Sequence, residues 1–259
     1  MGDVTEGTQG GRYFSFAHHS SFTRADPAAT LRAMNAARER GRASLAKSQV
    51  LFLTLGSAWT WRLRESGALV ANCHKQPAAL FEKFIVRPSE VQVALFEAVQ
   101  KCAAANPDLK VVLTVSPVRH WRDGASENGQ SKAVLLLAAH DLCERDPSRF
   151  HYFPSYEIMM DDLRDYRFYE SDMLHPSHQA VEYIWGKLQD SLLCPSCTPT
   201  IAKLQALSRA VEHRAFDASS AEHQTFVRRQ LQLIELLQAD HPHMNFDAES
   251  AHFRSILRH

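Results

Sequence analysis

The sequence lacks the features that mark several specialised classes of protein. It has no excess of either charge, because 29 Lys and Arg residues balance 29 Asp and Glu residues, so the electrostatic footprint of a nucleic-acid-binding protein is absent. No apolar run approaches the roughly 18 residues that a membrane-spanning helix needs, and the N-terminus has no secretion signal. The composition predicts a cytoplasmic globular protein that binds small molecules or proteins and neither nucleic acid nor membrane.

Cysteine is also scarce. Five scattered cysteines exclude a disulfide framework and favour a reducing compartment. Cys194 and Cys197 have the C-x-x-C spacing of a zinc or redox motif, but no second cysteine pair follows, so this segment is predicted to be a loop. We predict no metal site in this segment and no organic cofactor for the protein.

The chain divides into three regions by pattern. Residues 1–11 are polar and Gly-rich and are predicted to be a flexible lead. Residues 12–195 alternate between strand and helix patterns, which indicates an α/β domain. Residues 196–259 carry leucines at helical spacing in otherwise polar segments, so we expect a helical extension or a contact in a homo-oligomer.

Three apolar runs predict the strands of a mostly parallel sheet. Residues 50–55 form a continuous apolar run, typical of a strand buried on both faces. Residues 109–115 give a second such strand, and residues 150–154 a third, edge-like one. The helices predicted between them, at 88–105 and 131–144, imply right-handed crossovers.

Two further segments extend this pattern. Residues 59–63 and 68–71 alternate around Gly67 and predict a β-hairpin. A last helix is predicted to begin at Pro176, with His175 as its N-cap. Its apolar stripe, which includes Val181 and Trp185, is expected to pack onto the sheet.

Polar residues gather where the predicted strands end. Ligands of open α/β sheets bind outside the carboxyl ends of the strands, so this gathering predicts a single pocket. The residues are Gly56, Ser57, Ser116, Arg119, His120, Asp172 and His175.

Asp172 and His175 form a D-x-x-H that has two interpretations. In the first, Asp172 accepts the Nδ1–H of His175, which fixes the tautomer and makes His175 a general base for a hydroxyl nucleophile. In the second, the motif is a capped helix start with a surface aspartate. The spacing by itself favours the second interpretation.

Other residues near the predicted pocket also have two interpretations. Ser57 and Ser116 are candidates for a substitute nucleophile. The favoured alternative is that they are ordinary loop hydroxyls, because serine is common where a strand passes into a loop. Cys73 and His74 could form a thiol–imidazole pair. Because the side chains of neighbouring residues on a strand point to opposite faces, the favoured alternative is that Cys73 is a structural cysteine. His19 either reaches the pocket or packs against backbone.

Three cationic or polar residues are candidates for binding an anionic group on a small-molecule substrate. They are Lys75, Arg119 and His120, and the guanidinium of Arg119 suits bidentate contact with a carboxylate or phosphate. The alternative is that Arg119 pairs with Asp123 or Asp165.

Many long segments of the chain resemble the GSCFA domain family, which belongs with the SGNH/GDSL-type hydrolases. They are HHSSF (18–22), TLGSAW (54–59), VANCHK (70–75), TVSPVRHWRDG (114–124), ENGQSKAVLL (127–136) and YFPSYEIMMDDLRDYRFYESDMLHPS (152–177). The resemblance implies a flavodoxin-like three-layer sandwich in which a serine after the first strand is the nucleophile. It also implies that Asp172 and His175 are the acid and base, and that Gly56 and Asn72 belong to the oxyanion hole.

The chain departs from this family at its front. It contains no G-S-C-F-A motif, so we expect either a start codon placed downstream of the true one or a shortened form that lacks the first strand. The sequence thus predicts an SGNH-type esterase or acyl hydrolase acting on an acylated or anionic substrate, without its nucleophile. The alternatives are a non-catalytic binding or scaffold protein and a truncated gene model.

Overall fold

The computed structural model describes residues 5–6, 11–213 and 220–257. The predicted flexible lead, residues 1–11, therefore falls largely outside the described residues. The chain divides into two compact units, Met1–Trp185 and Gly186–His259.

The described residues form eight strands and eight helices. The strands are β1 (Thr5–Glu6), β2 (Tyr13–Phe14), β3 (Val50–Leu55), β4 (Trp59–Leu63), β5 (Leu69–Val70), β6 (Phe81–Ile85), β7 (Lys110–Val115) and β8 (Phe150–Tyr152). The helices are α1 (Pro27–Leu45), α2 (Pro88–Ala103), α3 (Ala125–Arg145), α4 (Ser155–Glu157), α5 (His178–Leu192), α6 (Thr198–Glu212), α7 (Ala221–Asp240) and α8 (Asp247–Ile256).

The first unit is a mixed α/β structure around a three-stranded parallel sheet. Its strand order is β3-β7-β8, and β3 pairs with β7 in register from Val50↔Lys110 to Leu55↔Val115. Helices α2 and α3 cover one face, where Val99 and Leu142 pack against Leu113 of the central strand. The predicted parallel sheet and its helical crossovers are confirmed.

Strand β3 differs from its prediction as a strand buried on both faces. It lies at the edge of the sheet, and the side chains of Val50 and Phe52 are 45% and 49% exposed. The alternate residues, Leu51 and Leu53, pack against the core formed with α2 and α3. The prediction was wrong because an apolar run shows only that a strand is suited to burial on both faces. In the structure no described element covers the face that carries Val50 and Phe52, and no described strand pairs with the outer edge of β3.

A small antiparallel sheet follows β3, with strand order β5-β4-β6. The predicted hairpin is confirmed by the pairing of Trp61 with Val70. Strand β6 was not predicted, because Glu82 and Lys83 interrupt its apolar pattern. Glu82 lies opposite Arg62 of β4, and the two side chains form an ion pair at 2.9 Å.

Two helix boundaries differ from those predicted. Helix α3 begins at Ala125 instead of 131, directly after Gly124, whose φ of 94° is incompatible with a helix. Helix α5 begins at His178, because Pro176 pairs with Tyr169 in an isolated β-bridge instead of opening the helix. Thus His175 is not the N-cap of α5.

Only part of the apolar stripe of α5 is buried. Ala180 is buried, and Ile184 packs with it against Met159 in a small core cluster. Val181 and Trp185 are 53% and 39% exposed, so the prediction that they pack onto the sheet was wrong. The sequence spacing identified the apolar residues correctly but not the side of the helix that is covered.

The second unit contains helices α6, α7 and α8 around a core of its own. Leu207, Val227, Leu237 and Phe253 are all buried there. The C-terminal helices are confirmed, although α8 was not predicted, and the predicted break at 216–217 lies outside the described residues. None of the described helices is long and apolar enough to cross a membrane.

Candidate active site

The D-x-x-H lies in a loop closed on itself by backbone hydrogen bonds, residues 165–177, called here the D-x-x-H loop. Asp165 caps a short 3-10 helix by accepting the backbone N–H of Arg167 at 2.9 Å. Farther along, the N–H of Glu170 donates to the carbonyl of His175 at 2.8 Å, and that of Ser177 to Phe168 at 2.8 Å. These bonds fix the backbone that carries the acid and the base.

Asp172 and His175 make the contact that the first interpretation of the motif required. The Nδ1–H of His175 donates to Oδ2 of Asp172 at 2.6 Å. The other carboxylate oxygen accepts the backbone N–H groups of Leu174 at 2.8 Å and His175 at 3.0 Å. The hydrogen bonds from His175 and Leu174 lower the pKa of Asp172 to about 2, so this carboxylate is anionic at neutral pH.

The pair faces solvent. The side chains of His175 and Asp172 are 61% and 45% exposed. With Nδ1 bound to Asp172, the imidazole presents Nε2 as its proton acceptor. Among the described residues no hydroxyl group hydrogen-bonds to this nitrogen, so the acid and base are assembled without a nucleophile in contact.

A pocket of about 250 Å³ adjoins the loop, with Met159, Leu163, Arg119 and Tyr169 among its lining residues. Arg119 donates to the hydroxyl of Tyr169 at 3.3 Å, and its guanidinium carbon lies 5.1 Å from the centre of that ring. An aromatic face and a hydroxyl thus hold the guanidinium, and it forms no ion pair with a described carboxylate. The pocket is called here the Arg119 pocket.

Neither predicted acidic partner pairs with Arg119. Asp123 forms an ion pair with Lys83, and Asp165 pairs with Arg167 at 3.4 Å. The interpretation of Arg119 as a binding group for an anion therefore remains open.

The carboxyl ends of β3 and β7 bring a second group of predicted residues together. Nε2 of His120 lies 3.6 Å from where a Cβ atom on Gly56 would stand, so the ring packs against this glycine. Ser57 Oγ accepts the N–H of Trp59 at 3.1 Å, and Ser116 Oγ accepts the N–H of Val118 at 3.3 Å. Both hydroxyls stabilise turns, which favours the loop interpretation over that of a nucleophile.

Lys132 of α3 lies beneath these strand ends and was not singled out from the sequence. Its side chain is buried, and Nζ donates to the carbonyls of Gly56 and Ser116, both at 2.7 Å. Burial lowers the pKa of its ammonium group to about 8. The ammonium thereby ties the two strand ends together through their carbonyl groups.

The sequence did carry a signal for this lysine. Lys132 precedes Leu135, Ala139 and Leu142 on α3 at spacings of three, seven and ten residues, and all three are buried. A lysine on the apolar face of a helix is buried only where its charge finds oxygen atoms.

Some of the residues predicted near the pocket lie apart from the Arg119 pocket. Asn72, His74 and Lys75 line a second pocket of about 490 Å³, which shares no described lining residue with the Arg119 pocket. His19 accepts the backbone N–H of Ser21 through Nδ1 at 3.2 Å and caps a 3-10 turn.

The five cysteines are free thiols in the described part of the chain. Cys73 makes no contact with the imidazole of His74, whose Nε2 binds carbonyl groups instead, and burial raises the pKa of the Cys73 thiol. Cys194 and Cys197 are free thiols at a 3-10 turn. No group of three or more His, Cys, Asp or Glu side chains in the described part of the chain is arranged to hold a metal ion.

Comparison with known proteins gives matches at the level of families. The model described as the GSCFA family matches residues 3–188. The model described as the GSCFA domain protein, C-terminal domain, matches residues 204–259. No curated protein and no solved structure matches the chain.

Proposed function

The chain belongs to the GSCFA family, and we propose that it carries the acid–base half of an ester-hydrolase site of the SGNH type. The observation that carries the proposal is the 2.6 Å contact between Nδ1 of His175 and Oδ2 of Asp172. The same proposal includes the finer fold, in which the parallel sheet and its helices form part of a flavodoxin-like sandwich.

In the proposed reaction His175 is the general base. Its Nε2 takes the proton of a serine hydroxyl as the hydroxyl oxygen attacks the ester carbonyl, and it returns that proton to the leaving alcohol. A water molecule, deprotonated by the same Nε2, then attacks the acyl-serine and releases the carboxylic acid, and the proton returns to the serine oxygen. Asp172 orients the ring and stabilises the imidazolium formed between the two steps. Because its pKa is held near 2, it stays anionic throughout.

The nucleophile and the oxyanion hole are the parts that the described residues do not assemble. Ser57 and Ser116 are engaged in turns, and Asn72 lies in the other pocket. The reaction therefore needs a serine brought to Nε2 of His175 from elsewhere.

The Arg119 pocket is the proposed binding site for the substrate. Its small volume and its floor of Met159 and Leu163 suit a short acyl chain, and Arg119 supplies a charge for an anionic group next to it. We propose short-chain esters with a nearby negative charge as the substrate class.

A second function, binding without catalysis, is favoured by the exposure of the pair and by the absence of a hydroxyl partner for Nε2 among the described residues. Acid and base without a nucleophile cannot form an acyl-enzyme. The pocket and the D-x-x-H loop would then hold a ligand without turning it over.

One experiment separates the two functions. The 259-residue protein is treated with a serine-directed fluorophosphonate and assayed with p-nitrophenyl acetate, in parallel with His175→Ala. The matched control is His178→Ala, which removes an 83% exposed histidine three residues away. Hydrolysis and labelling that are lost in His175→Ala and kept in the control support the hydrolase, and activity equal in all three proteins refutes a role of His175 in it. Activity absent from all three proteins supports the second function, binding without catalysis, for this chain.

A further inference from the structure

A pocket in the first unit lies among residues that the proposed hydrolase site does not use. It has a volume of about 490 Å³, which is within the range of pockets for small organic ligands. It is called here the Arg12–Lys75 pocket. Its lining comes from two segments of the first unit, residues 12–23 and 72–76.

The charge of this pocket is one-sided. Arg12 and Lys75 both line it, and no carboxylate does so among the described residues. Neither cation forms an ion pair with a described acidic side chain, whereas Arg62, Arg164 and Arg167 each do so. Two cations that face one cavity without a described carboxylate beside them favour an anionic ligand.

His74 holds the two segments of the pocket together. Its Nε2–H donates to the carbonyls of Ser15 at 2.9 Å and His18 at 3.1 Å. Its ring stacks on Phe14 with a centroid separation of 4.3 Å, and Phe14 is itself buried. These contacts fix the pocket wall before any ligand arrives, which lowers the entropic cost of binding.

Lys75 is presented by an unusual backbone. His74 and Lys75 both have positive φ, 49° and 56°, a conformation that disfavours any residue with a Cβ. Oδ1 of Asn72 accepts the N–H of His74 at 2.9 Å and stabilises this turn. Backbone strain of this kind is concentrated at binding sites, where the position of a side chain matters more than local stability.

The pocket also offers neutral donors. The hydroxyls of Ser20 and Thr23 have no hydrogen-bond partner in the described part of the chain, and the Oγ1 of Thr23 is buried. Since Oδ1 of Asn72 is already used, its amide group is left with N–H donors to offer. The hydrogen-bond donors therefore reach the cavity from several directions. A planar carboxylate, with two oxygens, is a poorer ligand for them because it would accept from only some of these donors.

We propose that the Arg12–Lys75 pocket binds a small organic molecule through a phosphate group. A phosphate carries up to two negative charges and three acceptor oxygens, which match the two cations and the surrounding hydroxyl and amide donors. The apolar face of Phe14 and the remaining volume accommodate the organic part. This site is independent of the Asp172–His175 pair.

The test is isothermal titration of the full chain with inorganic phosphate and with phenyl phosphate in buffer of low ionic strength. We expect inorganic phosphate to bind with a Kd of about 1 mM, and phenyl phosphate more tightly because it also contacts the apolar wall. Lys75→Gln and Arg12→Gln should each weaken binding by about tenfold. Lys47→Gln, which removes an exposed lysine elsewhere in the same unit, should leave it unchanged.

Three results would overturn the proposal. The first is equal phosphate affinity in the wild type and the Arg12→Gln/Lys75→Gln double variant, and the second is acetate binding as tight as phosphate binding. The third is no heat of binding at phosphate concentrations up to 20-fold above the expected Kd of about 1 mM. His175→Ala must keep wild-type phosphate affinity, so a failed hydrolase assay does not bear on this site. Circular dichroism of each variant confirms that a loss of binding is not a loss of folding.

Discussion

Replacing Lys132 by methionine tests whether a buried ammonium group ties the two strand ends together. The substitution keeps most of the side chain's length and removes Nζ, so the carbonyls of Gly56 and Ser116 lose the donor that lies 2.7 Å from each. An unsatisfied buried carbonyl costs about 1–3 kcal/mol. Removing the buried charge offsets part of this cost, so we expect a net loss of about 2 kcal/mol at pH 7.

The effect of pH on this difference identifies the charge as its cause. Burial lowers the pKa of Lys132 from 10.5 in the unfolded chain to about 8 in the folded protein, so between these values the unfolded chain binds more protons than the folded one. Wild-type stability from this group therefore rises with pH across that window. From pH 7 to pH 9 the gain is about 1 kcal/mol, and Lys132→Met cannot share it.

The measurement is urea denaturation at pH 7 and pH 9, followed by tryptophan fluorescence. All four tryptophans, at positions 59, 61, 121 and 185, lie in the first compact unit, so the signal reports the unit that contains Lys132. Lys47→Met serves as the control, because Lys47 is exposed in the same unit. Other groups that titrate in this range contribute equally to wild type and variants, so the difference between them is the readout.

A gap between wild type and Lys132→Met that stays constant or narrows from pH 7 to pH 9 would refute the reasoning. Such a result would mean that the ammonium group is as well solvated in the folded protein as in the unfolded chain.

Three further predictions concern the site, a helix cap and the sheet edge. Asp172→Asn removes the negative charge from the 2.6 Å contact with His175. It should lower any ester hydrolysis by at least about 100-fold and leave the circular dichroism spectrum unchanged. A smaller loss in p-nitrophenyl acetate turnover would contradict the orienting role of Asp172. Asp26→Ala removes the side chain that accepts the N–H groups of Ala28 and Ala29 at the start of α1, and it should cost about 1 kcal/mol in urea denaturation; no change in midpoint would show that the cap contributes nothing. Phe52→Lys places a charge on the exposed face of β3, where the native ring is 49% exposed. The free energy of unfolding should change by less than about 0.5 kcal/mol, and light scattering at high protein concentration should fall. A large loss of stability would show that Phe52 is covered.

Patterns over single segments predicted much of the fold. The apolar run before Gly56, the hairpin around Gly67 and the proline-led start of α2 at Pro88 all appear in the structure. Each depends on local chemistry, namely apolar continuity, a glycine with positive φ and a proline in the first helical turn. Strand β6 escaped prediction because its charged residues are satisfied by partners distant in sequence, such as Arg62 for Glu82.

The candidate site was predictable to the extent that it is local. Asp172 and His175 are three residues apart, so their contact required only a turn. The role of Lys132 required knowledge that α3 passes beneath two strand ends, 16 and 76 residues away in sequence. Residues 72–76 line a pocket apart from the Arg119 pocket because the hairpin returns them to the segment 12–23 and not to the D-x-x-H loop.

The outer edge of β3, with which no described strand pairs, has a kinetic consequence. Its sequence, Val-Leu-Phe-Leu-Thr-Leu, contains no lysine, proline or other residue that would discourage another strand from pairing there. Pairing between two such edges is second order in protein concentration, whereas folding of one chain is first order. The yield of refolding should therefore depend on dilution more than on time, and a tenfold dilution should favour the monomer about tenfold over edge-paired species.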